Sequence, residues 1–159
     1  MARITEFPVE IARPTDAFRI AAMSRDYIEH GLGWKWTAAR VLKCIREPAT
    51  NVIVIREGAG LAGFAIMKYR DDEAHLLLFA VDTARRRRGI GTALLAWLEA
   101  TALTAGIGVV YLEARVRNSG AREFYRSHGY AEVARVAKMY RGVEDGMRIA
   151  KDLWAAAKP

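Results

Sequence analysis

A single cysteine in 159 residues leaves no partner for an internal disulfide. Cys44 falls in a helical pattern over residues 38–46, on the side of Val41 and Ile45. It reads as a small core side chain rather than a nucleophile, since no partner histidine lies near it. Histidines number three. His30, His75 and His128 stand at neither metal-ligand nor triad spacing, so each is expected at the surface or a helix end, and no metal is expected. No apolar run reaches the length of a membrane span. The first residues carry neither an apolar leader core nor a cleavage pattern, so a cytoplasmic chain without membrane attachment is expected. Zinc-finger spacing, leucine heptads and paired aromatics on a single-strand-binding strand are missing. So are internal repeats and linkers, and residues 1–159 are expected to form one domain.

What is present favours a globule with a core: 52% of residues are hydrophobic and 27% charged. The net charge of +7 admits nucleic acid, an acidic partner or an anionic cofactor. Arginines are scattered except at residues 85–88, where four stand in a row. An apolar strand pattern at 75–81 runs into this stretch, and an amphipathic helix pattern at 93–103 runs out of it. Arg85, Arg86, Arg87 and Arg88, with Gly89 and Gly91, thus sit where a strand hands over to a helix N-terminus. Free N–H groups and the helix dipole favour an anion there, and glycine lets the backbone approach it. A solvated turn or a nucleic-acid patch is the plainer reading of the arginines alone. The glycines and the following helix favour a phosphate site.

Residues 3–12 read as an opening strand, with Pro8 marking an edge or a bulge. Thr15 or Asp16 can cap a helix whose apolar residues are Phe18, Ile20, Ala21, Met23, Tyr27 and Ile28. Residues 31–36 carry two glycines and two tryptophans. They read either as an apolar plug over a sheet end or as a mobile pocket wall. Thr37 can cap a second helix that Pro48 stops. Strand patterns follow at 51–56, 61–69 and 74–81, the first two joined by a hairpin turn at 57–60. The third is almost continuously apolar, as expected of a strand covered on both faces. A strand at 109–115 is interrupted by one carboxylate, Glu113. Asn118 can cap a short helix ended by Gly129. Strands at 130–136 and 146–153 enclose a polar loop headed by Tyr140. The order β α α β β β α β α β β predicts an α/β (α+β) fold: a mixed, mostly antiparallel sheet of about six to seven strands with helices on both faces. Ligands of such sheets gather at the carboxyl ends of strands, where Val81 and Glu113 fall.

Three glycine-loop chemistries compete for residues 85–92. A Walker A loop needs a Lys before Ser/Thr, and none is here. A dinucleotide turn needs a small residue where Leu94 stands, and it follows the first strand of its domain rather than a meander. The third pattern, Arg/Gln-x-x-Gly-x-Gly/Ala, is met by Arg86-Arg-Arg-Gly89-Ile-Gly91. With it the chain resembles the GNAT superfamily of acetyl-CoA-dependent N-acetyltransferases over nearly its whole length, most strongly at residues 78–154. Residues 112–118, Leu-Glu-Ala-Arg-Val-Arg-Asn, followed by Ala121 and residues 124–130, Phe-Tyr-Arg-Ser-His-Gly-Tyr, resemble the ribosomal-protein alanine N-acetyltransferase group. That group's Tyr-Tyr, Glu-Asp-Ala and closing Met are matched in part, by Met139-Tyr140, Glu144-Asp145-Gly146 and Arg148-Ile149.

The resemblance implies direct acetyl transfer from acetyl-CoA to a primary amine. Arg86, Arg87 and Arg88, with the N–H groups of Gly89, Ile90, Gly91 and Thr92, would hold the pyrophosphate. Phe79, Ala80 and Val81 would pair with the pantetheine arm like an added strand, and the N–H of Val81 would polarise the acetyl carbonyl. Asn118 would bond that arm while capping its helix. Glu113 is the candidate base, with a pKa expected to be raised by burial. An ion pair with Arg115 or another arginine is the alternative for it. Tyr125 stands where the resemblance places the proton donor to the leaving sulfur. The acceptor would lie between residues 31–36, with Trp34 and Trp36, and the loop headed by Tyr140. On resemblance the leading acceptor is a protein N-terminal α-amino group. A small amine (polyamine, amino acid or aminoglycoside) comes second, with Asp71, Asp72, Glu73, Glu144 and Asp145 available to a polyamine. Two other classes stay open: a protein that binds coenzyme A without turnover and, more weakly, a basic nucleic-acid-binding module. A monomer or homodimer is expected.

Overall fold

A computed structural model describes residues 7–86 and 88–157. β1 (Val9–Ile11) leads through a 3-10 turn (Pro14–Asp16) into α1 (Ala17–Met23), which a π turn (Ser24–Ile28) continues. Then come α2 (Ala38–Arg46), β2 (Thr50–Glu57), β3 (Gly60–Tyr69), β4 (Glu73–Val81) and a 3-10 turn (Thr83–Arg85). The chain closes with α3 (Ile90–Thr104), β5 (Val109–Arg115), α4 (Ser119–Ser127), β6 (Ala131–Tyr140), β7 (Glu144–Asp152) and α5 (Leu153–Ala157). Of the strand expected at 3–12, residues 3–6 lie outside the described residues, and of residues 7–12 only Val9–Ile11 form strand β1. α5 has no counterpart among the expected elements. No helix among the described residues is long and apolar enough to cross a membrane.

The seven-stranded sheet runs β1-β2-β3-β4-β5-β7-β6. Every neighbouring pair is antiparallel except β4 and β5, which is the expected mixed, mostly antiparallel sheet. Helices cover both faces. Leu94, Leu95 and Leu98 of α3 pack against Ile53, Ala65, Met67 and Leu112 on one face. Ala17, Ile20 and Ala21 of α1 and Val41 of α2 pack against Val52, Val54, Phe64 and Ile66 on the other. Successive strand side chains alternate between these layers, so residues 52–55 of β2 and 61–67 of β3 carry no polar side chain. Cys44 packs half-buried beside the α1/α2 layer, and burial pushes its thiol above the ordinary range. Phe18, expected on the apolar side of its helix, is 80% exposed instead. Asp16 is buried rather than capping α1. It accepts the Arg13 N–H and both terminal nitrogens of Arg56, which hold its carboxyl below the ordinary range.

β4 is where the sheet departs from regularity. Met67 pairs with Leu76 and Ile66 with Leu78, so Leu77 is an extra residue on β4. The bulge exchanges the two sides of the strand. Before it, Ala74 and Leu76 face the α3 layer; after it, Leu78 and Ala80 face the α1/α2 layer. Both faces are covered, as expected: Leu76, Phe79 and Val81 pack toward the α3 layer and Leu77, Leu78 and Ala80 toward the α1/α2 layer, which accounts for the near-continuous apolar run. Parallel pairing of β4 with β5 stops at His75 and Tyr111. Beyond that point the two strands part, and their facing edges are left without ladder partners.

Candidate active site

The gap between β4 and β5 opens into a cavity of about 780 Å³. Its wall includes residues 76–81 of β4, 112–115 of β5 and 89–92 at the start of α3. Asp82 donates its N–H to the carbonyl of Ala62 on β3 (2.8 Å). Alternation along the strand then turns the N–H and C=O groups of Val81 and Phe79 toward the gap. α3 starts from Gly89, whose φ of +87° suits glycine, and no side chain caps it. The first N–H groups of a helix have no intrahelical acceptor, and Ile90, Gly91 and Thr92 all line the cavity. A Cβ on Gly91 would lie 3.1 Å from the ring of Phe124, so the close approach of α4 also needs glycine here. The donor set is therefore an anion cradle made of backbone.

The arginines divide. Arg86 lines the cavity. Arg88 turns away and binds Glu57 (2.9 Å). Arg85 lines the cavity too, but it is held by Glu57 (3.2 Å) and Asp82 (2.5 Å). Arg87 lies outside the described residues. Glu57 comes from the end of β2, and nothing near residues 85–88 in the sequence signals that contact. Thr92 meets a group absent from the sequence expectation: its hydroxyl lies 3.0 Å from His128 Nε2, while Nδ1 lies 2.8 Å from the Phe124 carbonyl. Nδ1–H donates to that carbonyl, so in the neutral imidazole Nε2 accepts from the Thr92 hydroxyl. His128 ends α4, as expected of a helix-end histidine, yet it also lines the cavity.

Glu113 and Tyr125 reach the cavity from opposite faces of the sheet. Leu112 and Ala114 belong to the α3 layer, so Glu113 points to the other side. Its Oε1 lies 2.8 Å from His75 Nε2; its Oε2 is buried without a hydrogen-bond partner, 3.6 Å from Arg148 Nε. Burial pushes the Glu113 carboxyl up, but the bond and charge of His75, with Arg148, outweigh burial and hold it below the ordinary range. This corrects the expected rise. Its ion-pair partner is Arg148, its register partner on β7, rather than Arg115. His75 is likewise not a surface or helix-end residue: it stands in β4 with its ring stacked on Tyr111 (4.3 Å, 12°). Its position in an apolar run, 38 residues before Glu113, hid it from any spacing rule. Tyr125, in the α3 layer, is 5% exposed and packed among Phe79, Phe124 and Tyr130. Burial pushes its phenol well above the ordinary range, so it keeps its proton at neutral pH. Asn118 Oδ1 caps α4 by accepting the Ala121 N–H (3.1 Å), and the residue lines the cavity.

At the other end, Trp36 is buried and forms part of the wall, with Arg40 3.8 Å over its ring. Trp34 is half-exposed outside that wall, beneath Arg25. Tyr140 lines the cavity, its phenol pushed up to about 12 by burial and then by the charge of Glu113. Glu29, not singled out in the sequence, and Arg115, expected only as a partner for Glu113, organise this end. Glu29 is buried and accepts the N–H groups of Lys35 (2.6 Å) and Trp36 (3.1 Å) and the Ser24 hydroxyl (3.0 Å). Arg115 donates to the carbonyls of Ile28 (3.0 Å) and His30 (2.5 Å) and pairs with Glu144 (3.5 Å). Glu144 also meets Arg117, and Asp145 meets Arg135. None of Asp71, Asp72, Glu73, Glu144 and Asp145 lines the cavity. Among the described residues, no group of three or more His, Cys, Asp and Glu side chains is arranged to hold a metal ion.

Residues 15–130 match the pattern of the family described as Acetyltransferase (GNAT) family. The chain is 35% identical over 92 residues to the [Ribosomal protein bS18]-alanine N-acetyltransferase of Escherichia coli (strain K12), a match covering 58% of this chain and 62% of that relative's length. It is 39% identical over 159 residues to the N-alpha-acetyltransferase of Sulfurisphaera tokodaii, covering 93% of this chain and 94% of the relative. The fold is similar to the crystal structure of the ribosomal-protein-S18-alanine N-acetyltransferase from Escherichia coli. That structure superposes with a TM-score of 0.80 at 24% identity, covering 93% of this chain and 94% of the other.

Proposed function

The chain belongs to the acetyltransferase (GNAT) family, and on that premise we propose that it moves an acetyl group from acetyl-CoA to the α-amino group of a protein N-terminus. The pyrophosphate is held by Arg86 and the backbone of Gly89, Ile90, Gly91 and Thr92. The pantetheine arm lies along Phe79, Ala80 and Val81 as an added strand and meets Asn118. The N–H of Val81 polarises the acetyl carbonyl. The neutral amine forms the C–N bond as the C–S bond breaks. The amine's surplus proton passes to Glu113 Oε2, and Tyr125 gives its proton to the leaving sulfur. Return of a proton from Glu113 to Tyr125 through water completes the cycle. Trp36 and Tyr140 flank the acceptor.

Two things support the choice of acceptor: the relative matched over 93% of this chain is an N-alpha-acetyltransferase, and Glu113, held by His75 and Arg148, is a carboxylate kept below the ordinary range rather than raised. So weak a base does not strip an ammonium group. It takes the proton only after bond formation has made the nitrogen acidic. The acceptor must therefore bring its own neutral fraction. At pH 7 a peptide α-amino group (pKa about 8) is about 10% neutral and a lysine (about 10.4) about 0.04%. A polyamine is disfavoured further, because the carboxylates offered to it do not line the cavity, and Glu144 and Asp145 are paired with arginines. The test is thiol release from acetyl-CoA with N-terminal peptides, N-terminally blocked lysine peptides and small amines. Turnover with the N-terminal peptides is the expected result. Turnover confined to lysines or small amines overturns it, and binding of acetyl-CoA without any turnover favours a sensor.

A further inference from the structure

We propose that His75 is a positioning residue: it pins Glu113 through one carboxylate oxygen and leaves the other to take the acceptor's proton. The inference rests on the reading of Glu113 as the base. His75 Nε2 lies 2.8 Å from Glu113 Oε1, the length of a charge-assisted bond. A carboxylate only accepts, so the imidazole must carry hydrogen on Nε2. The last torsion of a glutamate is broad and readily turned; a single fixed donor removes that freedom. The donor is itself fixed. His75 stacks on Tyr111 (4.3 Å, 12°), and the two form the last β4–β5 pair before the strands part. Oε2, buried, without a hydrogen bond and 3.6 Å from Arg148 Nε, is the oxygen left for the acceptor. Glu113 lines the cavity and His75 does not, so His75 acts through the carboxylate and never meets substrate. Other charged or titratable groups around the pair are Lys68, opposite His75 on β3, Tyr111 on β5, Tyr140 on β6, Arg148 on β7 and Glu73 on β4.

Nitrogen NMR of the wild-type chain reads the tautomer directly. Hydrogen on Nε2 supports the proposal, and an imidazole carrying hydrogen only on Nδ1 overturns it. His75→Phe keeps a ring against Tyr111 and removes the donor. It is expected to lower kcat about 10-fold with the acetyl-CoA KM unchanged. The acid limb of kcat/KM, corrected for the neutral fraction of the amine, moves to higher pH, and so does the carbon-NMR titration of Glu113 without substrate. His75→Gln, which retains a side-chain N–H, restores most of kcat. A His75→Phe chain with the wild-type profile and an unmoved Glu113 titration overturns the proposal. Glu113→Gln separates the two layers. If it turns over like the wild type, the base reading fails, while NMR still decides the hydrogen bond. If it is inactive and His75→Phe is not impaired, the base reading stands and the role of His75 fails. Should His75→Phe not fold, the wild-type tautomer and the His75→Gln profile decide.

Discussion

At the end of the cleft that we assign to the donor, the wall is largely backbone: the uncapped start of α3 at Gly89, and the open edge of β4 at Phe79 and Val81. At the end that we assign to the acceptor, side chains do the building. Glu29 gathers the N–H groups of Lys35 and Trp36, and Arg115 ties the carbonyls of Ile28 and His30 to Glu144. A backbone cradle is set by the fold and suits a ligand that never varies. Loops fastened by a few side chains can be rebuilt without touching the fold, which suits an acceptor that differs from one enzyme to another.

Substitutions can break this division. The largest effect is expected where the two ends meet. Glu113→Gln should lower kcat about 1,000-fold, and Tyr125→Phe about 100-fold, with both KM values within a few-fold of wild type; steady-state kinetics in both substrates decides. A rise in only one KM would assign that residue to one end instead. Arg86→Ala should raise the acetyl-CoA KM about 10-fold through loss of a charged hydrogen bond, with the acceptor KM unmoved. Arg88→Ala, whose guanidinium is spent on Glu57, should leave both alone. An equal effect of the two arginines would mean that the turn rearranges around its ligand. Glu29→Ala should do the reverse of Arg86→Ala, raising the acceptor KM several-fold while acetyl-CoA affinity measured by calorimetry stays put.

The smallest expected effect is on pH dependence. Glu113 has a folded-state pKa depressed below its ordinary 4.5. Its charged form is therefore retained, and its stabilising pairing kept, until pH falls through the folded value. Between pH 8 and 5, kcat/KM corrected for the neutral amine should stay flat. A limb near pH 6 to 7 would show that burial, not His75 and Arg148, governs the carboxylate.

The same division explains what the sequence made legible. The donor end is written in short-range signals: Gly89, Gly91, the strand before them, the helix after them, and Asn118 as a cap. Each acts on neighbouring backbone, so a local pattern suffices. The expected sheet, with its helices on both faces, followed from the order of such patterns. The missed features are tertiary. His75 and Glu113 are brought together only by the one parallel strand pair. Arg88 is drawn off by a carboxylate on β2, and Glu29 became buried only when the loop at 31–36 folded over it. The raised pKa expected of Glu113 failed for the same reason: its burial was foreseeable, whereas the histidine and arginine beside it came from other strands. The bulge at Leu77 left no trace of its own, because coverage of both faces already accounts for the apolar run.

That bulge and the parting of β4 from β5 leave the sheet short of one strand's worth of hydrogen bonds. A donor lying along Phe79 and Val81 would supply them, so the cosubstrate would be a component of the fold as well as a reagent. Heat resistance would then track the supply of acetyl-CoA, rising with the logarithm of its concentration once that exceeds Kd. Amide exchange at Val81 would slow when the donor is abundant, coupling the lifetime of the protein to the supply of the molecule it consumes.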